Sequence, residues 1–525
     1  MIKIISKKLP INKAIKTTKF IESKVDKNIH QNKIMLDDLI GSSDDVIIRK
    51  FEVENKMFMV CYIKGMANVK MIDEEIISAI MDPLNKLKEI NPENLYQIVK
   101  DSIICVSDLK DVEAMDEVAL AILSGESALF INGFETAIVI NTKGFEARSV
   151  EEPQTETVVR GPREGFTENI LVNTALIRRR LKSRELVFEK MILGKQTNTT
   201  IVIAYINNIA NPKVVEEVKL RLTRIKDHID AILESGYIEQ YIEDNPRSIF
   251  PTIGNSERPD AVAGKLLEGK VAIVCDCTPF VLMVPYLFIE NIQHSEDYYI
   301  GPYIATCFRL IRLLAYIITI SLPALYIAVT VFHYEMIPTI LFITMAAARE
   351  GIPLPSSAEA FFIVIIFEII RETGTRMPKP VGQAISIVGA LVLGQAAVDA
   401  GIVSSPMIIV VAITGITTFI NPSLVNTSFI LRAFFMILAT GLGLYGILIG
   451  FFFVLAHMCS LRSFGVPFFT PIAPMVFKEL KDSIIRLPLW SMTTRPESIA
   501  QGGNSKRQAT DLKPGPPKER KKGKK

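Results

Sequence analysis

The side chains best placed to do chemistry are charges that interrupt apolar runs. Arg349, Glu350, Glu359, Glu368, Arg371, Glu372, Arg376 and Asp399 lie in or beside uncharged stretches of the C-terminal half. A charge surrounded by hydrocarbon is costly. Such residues pair with one another, snorkel to an interface, or line an ion path. Glu368 is set deepest, with the apolar run 361–367 before it and Ile369-Ile370 after it. Residues 381–398 carry a second feature. Gln383, Ser386, Ala390, Gly394 and Ala397 fall on one helical face, opposite Ile385, Val388 and Val392. A small, weakly polar stripe lets helices pack closely, or lines a narrow pore in a ring of subunits. The residues alone leave both uses open.

Catalytic constellations are missing. No G-x-x-x-x-G-K, H-E-x-x-H or G-x-S-x-G occurs, and the five histidines are scattered. Cys275 and Cys277 stand two apart without a second Cys/His pair, so they read as strand residues and not as a zinc or redox site. The six cysteines are too few and too irregular for a disulfide framework. An enzyme is not expected, and neither is a cofactor, a metal or a nucleic-acid partner.

The elements that carry the charges look membrane-bound. A bilayer core of roughly 30 Å needs about 20 apolar residues as helix. Segments 313–332 and 433–456 meet this without a charge, and 381–398 is close to it. Segments 336–348 and 360–367 are short, and Pro406 and Gly415 interrupt 402–420. Lys and Arg gather at Arg309 and Arg312, at Arg371, Arg376 and Lys379, and at Arg462, Lys478, Lys481 and Arg486. They mark the cytoplasmic ends and place both termini inside, which requires an even number of crossings. The best fit is four full crossings plus two short re-entrant pieces, 336–348 and 406–420. Six plain crossings is the rival. Broken segments at membrane depth point to a permeation or binding site.

At 525 residues the chain is too long for one domain, and its net charge of +3 hides an uneven distribution. Residues 1–33 hold nine Lys and two acids, and residues 506–525 hold nine Lys or Arg and two acids. Both ends read as basic arms near an anionic leaflet, or as solvated disorder. No signal-peptide pattern opens the chain, so residues up to about 300 are expected in the cytoplasm.

That soluble part contains one unit twice. Val60-Cys-Tyr-Ile-Lys-Gly-Met-Ala-Asn-Val-Lys70 matches Ile203-Ala-Tyr-Ile-Asn-Asn-Ile-Ala-Asn-Pro-Lys213 at an offset of 143 residues. Each reads as a strand, a turn and a helix. In the second copy Asn211 is the N-cap, Pro212 the first helical residue, and Gly236 the C-terminal stop. The units also end alike. A hairpin turning at Asn132-Gly133 corresponds to one turning around 276–279, so 271–289 is a hairpin and not a span.

Several segments then carry a family resemblance: Ser149-Val-Glu-Glu-Pro153, Arg160-Gly-Pro-Arg-Glu-Gly-Phe166, Glu257-Arg-Pro-Asp260 and the long run 371–401. Over about residues 37–492 the chain resembles the A subunit of bacterial spore nutrient germinant receptors, the GerA family. The basic tail after Pro496 departs from that pattern. The resemblance implies a multi-pass protein of the spore inner membrane, with its N-terminal region cytoplasmic. It implies a transporter-like B subunit that binds an amino acid, sugar or nucleoside, and a lipoprotein C subunit. It also implies a homo-oligomeric ring of five whose membrane part, in contact with lipid, passes monovalent cations on nutrient binding. The stripe on 381–398 then becomes a pore face. Arg163, Glu164, Arg258 and Asp260 become candidate inter-subdomain or assembly contacts.

The expected fold is an α/β soluble N-terminal region of two similar subdomains, followed by an α-helical polytopic membrane domain. The divisions are a basic arm (1–36), subdomain 1 (37–150), a helical interlobe segment (151–194), subdomain 2 (195–300), the membrane domain (301–492) and a disordered basic tail (493–525). A secondary transporter and a membrane scaffold are the alternative functions.

Overall fold

A computed structural model describes residues 23–41, 43–82, 94–144, 152–153, 155–376, 394–500, 506–509 and 512–515. They form two compact units. One comprises residues up to 147 with Leu181–Val187, and the other Arg148–Arg180 with Phe188 onward.

The first unit holds helix α1 (Ile29–Ile40), strands β1 (Val46–Val53), β2 (Lys56–Ile63) and β3 (Leu109–Val112), helix α2 (Met115–Leu123), and strands β4 (Ser127–Ile131) and β5 (Ala137–Ile140). Its sheet runs β1-β2-β4-β5-β3. The second unit opens with α3 (Ile170–Arg180). It continues with β6 (Leu186–Leu193, in the second unit from Phe188 on), β7 (Thr199–Ile206), α4 (Pro212–Lys226), α5 (Ser235–Ile242), β8 (Gly254–Ser256), α6 (Pro259–Leu267), β9 (Val271–Cys275) and β10 (Val281–Val284). Its sheet runs β6-β7-β9-β10-β8, the same order strand for strand. The register repeats too. Val60 pairs with Leu129, and Ile203 pairs with Ile273, at the offsets seen in the sequence.

The aligned asparagines do the same work. Asn68 accepts the Met71 N–H and Asn211 accepts the Lys213 N–H, each capping a helix that leaves a central strand. The central strands of each sheet are buried on both faces, and one face of each carries a large apolar cluster. Phe58, Val60, Leu129 and Ile138 pack with Ile72, Ile76 and Val99, while Ile201, Ile203, Ile273 and Leu282 pack with Val214, Val218 and Leu222. Each such side chain contributes about 1.5–3 kcal/mol on burial.

Four soluble-region expectations change. Residues 23–36 are not a free arm: Val25 is buried and Lys24 bridges to Ala114. The helix after Asn211 stops at Lys226, and Gly236 sits in the first turn of α5, donating to Glu234. The chain leaves the helix there because residues 229–232 hydrogen-bond the β6–β7 turn, through Lys195 N–H to Ile229 O and Ile232 N–H to Thr197 Oγ1. The 271–289 hairpin forms, but its second strand ends at Val284, because Pro285 has no N–H to continue the ladder. The tail is not disordered from 493: Ile499 and Ala500 are buried, and Ala500 bridges to Ala210.

From residue 302 to 460 the described chain is mainly helical, and a short hairpin, Arg462–Ser463 with Val466–Pro467, follows. Helices α7 (Pro302–Val331), α8 (Thr339–Ala347), α9 (Ser356–Arg376), α10 (Gly394–Asp399), α11 (Ser405–Thr418) and α12 (Val425–Ser460) form a layer around one apolar core. Helix α7 leaves the second sheet region and ends near Gly443. Helix α9 returns, with Glu359 near Tyr326 and Ser404 at the far end. Helix α11 also returns. It starts at Ser404 and is followed by Asn421, which donates to Arg312 O at the near end. It is one continuous 14-residue helix, about 21 Å long at 1.5 Å per residue. The expected re-entrant piece at 406–420 is therefore a pass through the layer. Pro406 sits in the first helical turn, where a missing N–H costs nothing.

The expected single crossing at 433–456 is also corrected. Helix α12 is interrupted at Gly443 (φ 60°, ψ −137°). The rings of Phe435 and Phe451 lie 4.7 Å apart and those of Phe434 and Phe453 5.9 Å apart. In a straight helix sixteen residues span about 24 Å, so the chain reverses. Both ends of the resulting hairpin touch the same soluble loop, Thr427 through Ile249 O and His457 through Ser248. Five passes are described: α7, α9, α11 and the two arms 425–442 and 444–460. Residues 377–393, which join the near end of α9 to α10 at the far end, lie outside the described residues. Among the described residues, the 406–420 segment is therefore a full pass, 433–456 passes twice, and only 336–348 remains a short piece, as helix α8 (Thr339–Ala347).

Gly443 adopts a backbone region reserved for glycine, and a Cβ there would sit 2.9 Å from His333 and 3.0 Å from Phe332. Gly443→Ala is expected to destabilise the chain by about 1–3 kcal/mol. The check is the thermal midpoint of the purified protein, and an unchanged midpoint contradicts the hairpin.

Candidate functional site

Arg432 is the centre of the helical layer. It is 1% exposed and lies in the first arm of α12. Its Nε donates to Thr319 O at 3.1 Å on α7, its Nη1 to Glu368 Oε1 at 2.7 Å on α9, and its Nη2 to Thr418 Oγ1 at 2.9 Å on α11. Arg371, one turn on from Glu368, closes on the other carboxylate oxygen at 2.8 Å. Four helices thus meet on one guanidinium.

Glu359 makes a second node toward the far end. It is fully buried and accepts both the backbone N–H of Ser404 at 2.6 Å and its hydroxyl at 2.5 Å. A carboxylate at the start of α11 satisfies its free N–H groups and the helix dipole. Arg349 lies 3.9 Å from Glu359 and donates to Ser356.

A third node sits where the second sheet region meets α7. Asp297 is fully buried and receives Arg309 Nε and Arg312 Nη1, each at 2.9 Å. Burial alone would raise the Asp297 pKa, but the two guanidiniums outweigh it and hold the carboxyl below its usual range. Arg309 also reaches Asp482 at 3.0 Å. Nearby, burial pulls the Lys270 ammonium down to about 8, although Glu290 opposes this with both carboxylate oxygens.

The other sequence candidates scatter. Glu372 and Arg376 form an exposed pair one turn apart at 2.6 Å, worth little. Asp399 is exposed and accepts from Gln395. Gln383, Ser386 and Ala390 lie outside the described residues. Gly394 and Ala397 lie on α10, where Ala397 packs against the apolar core and a Cβ on Gly394 would meet Ile408 at 3.9 Å. Among the described residues, Arg163 makes an exposed 3.8 Å contact with Glu152. Glu164 takes Arg179 and Arg180. Arg258 is 2% exposed and holds Glu156 O, Pro162 O and Asp260. So buried, the Arg258 side chain ties residues within its own unit.

The sequence reading passed over Arg432, Asp297 and Asp482. Arg432 immediately precedes the uncharged run 433–456 and reads as a flank. The available signal was Glu368, a buried acid that demands a cation.

Arg432→Met is expected to cost on the order of 3–5 kcal/mol, because Glu368 stays buried with one cation fewer. Adding Glu368→Gln is expected to recover part of that loss. Equal midpoints for wild type and Arg432→Met in detergent would contradict the node.

Comparison with known proteins gives the chain's family. The profile described as "Bacillus/Clostridium GerA spore germination protein" matches residues 34–498. Spore germination protein KA of Bacillus subtilis (strain 168) is 43% identical over 482 residues, covering 91% of this chain and 87% of that one. The uncharacterized membrane protein YfkQ of the same organism is 40% identical over 502 residues, covering 94% and 96%. A crystal structure of the N-terminal domain of the A subunit of the Bacillus megaterium spore germinant receptor GerK3 aligns at TM-score 0.40 and 33% identity, over 51% of this chain and 98% of that one. The chain belongs to the GerA family of Bacillus/Clostridium spore germination proteins.

Proposed function

We propose that the chain is the A subunit of a spore germinant receptor. In this reading it is a multi-pass protein of the spore inner membrane, with its sheet region in the cytoplasm. It assembles as a ring, with a transporter-like B subunit and a lipoprotein C subunit. Nutrient binding opens a path for monovalent cations through the ring.

The observation that carries the membrane reading is the inside-out helical layer. Glu359, Glu368 and Arg432 are buried, while Ile340, Ile437, Phe452 and Phe453 are more than half exposed. A layer with charges inside and hydrocarbon outside suits a lipid surround. Two of its helices are long and apolar enough to cross a bilayer by length and composition. The α12 hairpin turns one of these into two arms of about 27 Å each. The conduction reading rests on the small stripe and on kinship with spore germination proteins.

The test is ion release from spores carrying Gly394→Leu or Ser386→Ala, given a mixture of amino acids, sugars and nucleosides, with receptor levels checked by immunoblot. Blocked, altered or nutrient-independent release at normal abundance supports a pore on 381–398. Unchanged release from both variants removes that segment from the pore and favours a scaffold.

A further inference from the structure

The short 3-10 turn Ser295–Tyr298, which leads through Tyr299 into α7, commits the four consecutive side chains 296–299 to partners on four different segments. Glu296 accepts the Arg160 N–H at 3.2 Å from the segment 155–166, which runs across the second subdomain like a strap. Asp297 holds Arg309 and Arg312 on α7. The Tyr298 hydroxyl donates to Asp482 at 2.9 Å, on the stretch that follows α12. The Tyr299 hydroxyl donates to Asp260 at 2.5 Å on α6, and Asp260 also takes Arg258, whose other bonds fix Glu156 O and Pro162 O in the strap.

The strap itself is held tightly. Glu257 accepts the Thr155 N–H through its side chain and the Phe166 N–H through its carbonyl. Gly161 (φ 148°) lies flat against the Tyr299 ring, where a Cβ would come within 2.9 Å.

We infer that Glu296–Tyr299 is a coupling element: residues 296 and 299 read the position of the strap, and residues 297 and 298 set the seat of α7. The physical reason is lack of slack. One tight turn cannot shift at Glu296 and Tyr299 without moving Asp297. A buried carboxylate that loses its guanidiniums leaves unpaired charge, so the two networks move together or not at all. This inference rests on the receptor reading only for what is transmitted, namely a signal from the soluble region to the helical layer.

Coupling between two sites is reciprocal, which gives the experiment. The full chain in lipid nanodiscs is followed by hydrogen exchange. Tyr299→Phe removes only the bond to Asp260 and keeps the ring. Arg309→Lys perturbs the contacts to Asp297 and Asp482 on the α7 side and touches none of the strap's own bonds. Each variant is expected to speed exchange in both 155–166 and 302–312, on the order of fivefold for the loss of one hydrogen bond. Gly161→Ala, which pushes the strap off the ring, is expected to do the same.

Effects confined to the perturbed side in both Tyr299→Phe and Arg309→Lys would overturn the coupling. Midpoint unfolding temperatures near wild type keep global loosening from mimicking it. Spores lacking the gene test the receptor reading separately. Unchanged germination there would sink that reading and leave the exchange result intact.

Discussion

The helical layer depends on one guanidinium that has nowhere else to go. Arg432 sits among apolar side chains, and each of its donors has an acceptor on a different helix. Sliding any of α7, α9 or α11 leaves a buried donor or the Glu368 carboxylate unsatisfied, at a cost of several kcal/mol. Hydrophobic contacts tolerate small slips; this node does not. Glu359 at the far end and Asp297 at the near end extend the same logic, so three buried carboxylates fix the layer along its depth. In a lipid surround the apolar faces have no preferred partner among themselves. Polar nodes then carry more of the specificity.

The sheet region was legible because repetition is itself a signal. Two strands matched at one offset, two hairpins at the next, and the two sheets share one strand order and one register. Asn68 and Asn211 show the physical basis: the same side chain meets the same orphan N–H groups, so the same letter recurs. The repeat also settled 271–289 against a membrane span, which hydropathy alone leaves open.

The rest was hidden for reasons that sequence periodicity cannot express. Gly443 lies in an uncharged run that suits one straight helix as well as a hairpin, and only contacts such as Phe435 with Phe451 separate the two. Pro406 looks like a break until its place in the first turn is known. Glu368 was read as important, but its partner Arg432 is 64 residues away, and no local pattern links them. The turn at 296–299 was silent because its four side chains matter through distant partners, not through their spacing.

The most direct test of the account is the side of the membrane on which the α12 hairpin turns. Single-cysteine chains with Tyr445→Cys beside the turn, or Cys459 alone at the end of the hairpin, would be labelled in sealed vesicles of known orientation by a membrane-impermeant maleimide. Tyr445 is 73% exposed in the structure, and Cys459 is exposed as well. The account predicts that the two positions label from opposite faces, with Cys459 on the face that carries the sheet region. Tyr445→Cys shielded from both faces, as in one straight crossing helix, would contradict it.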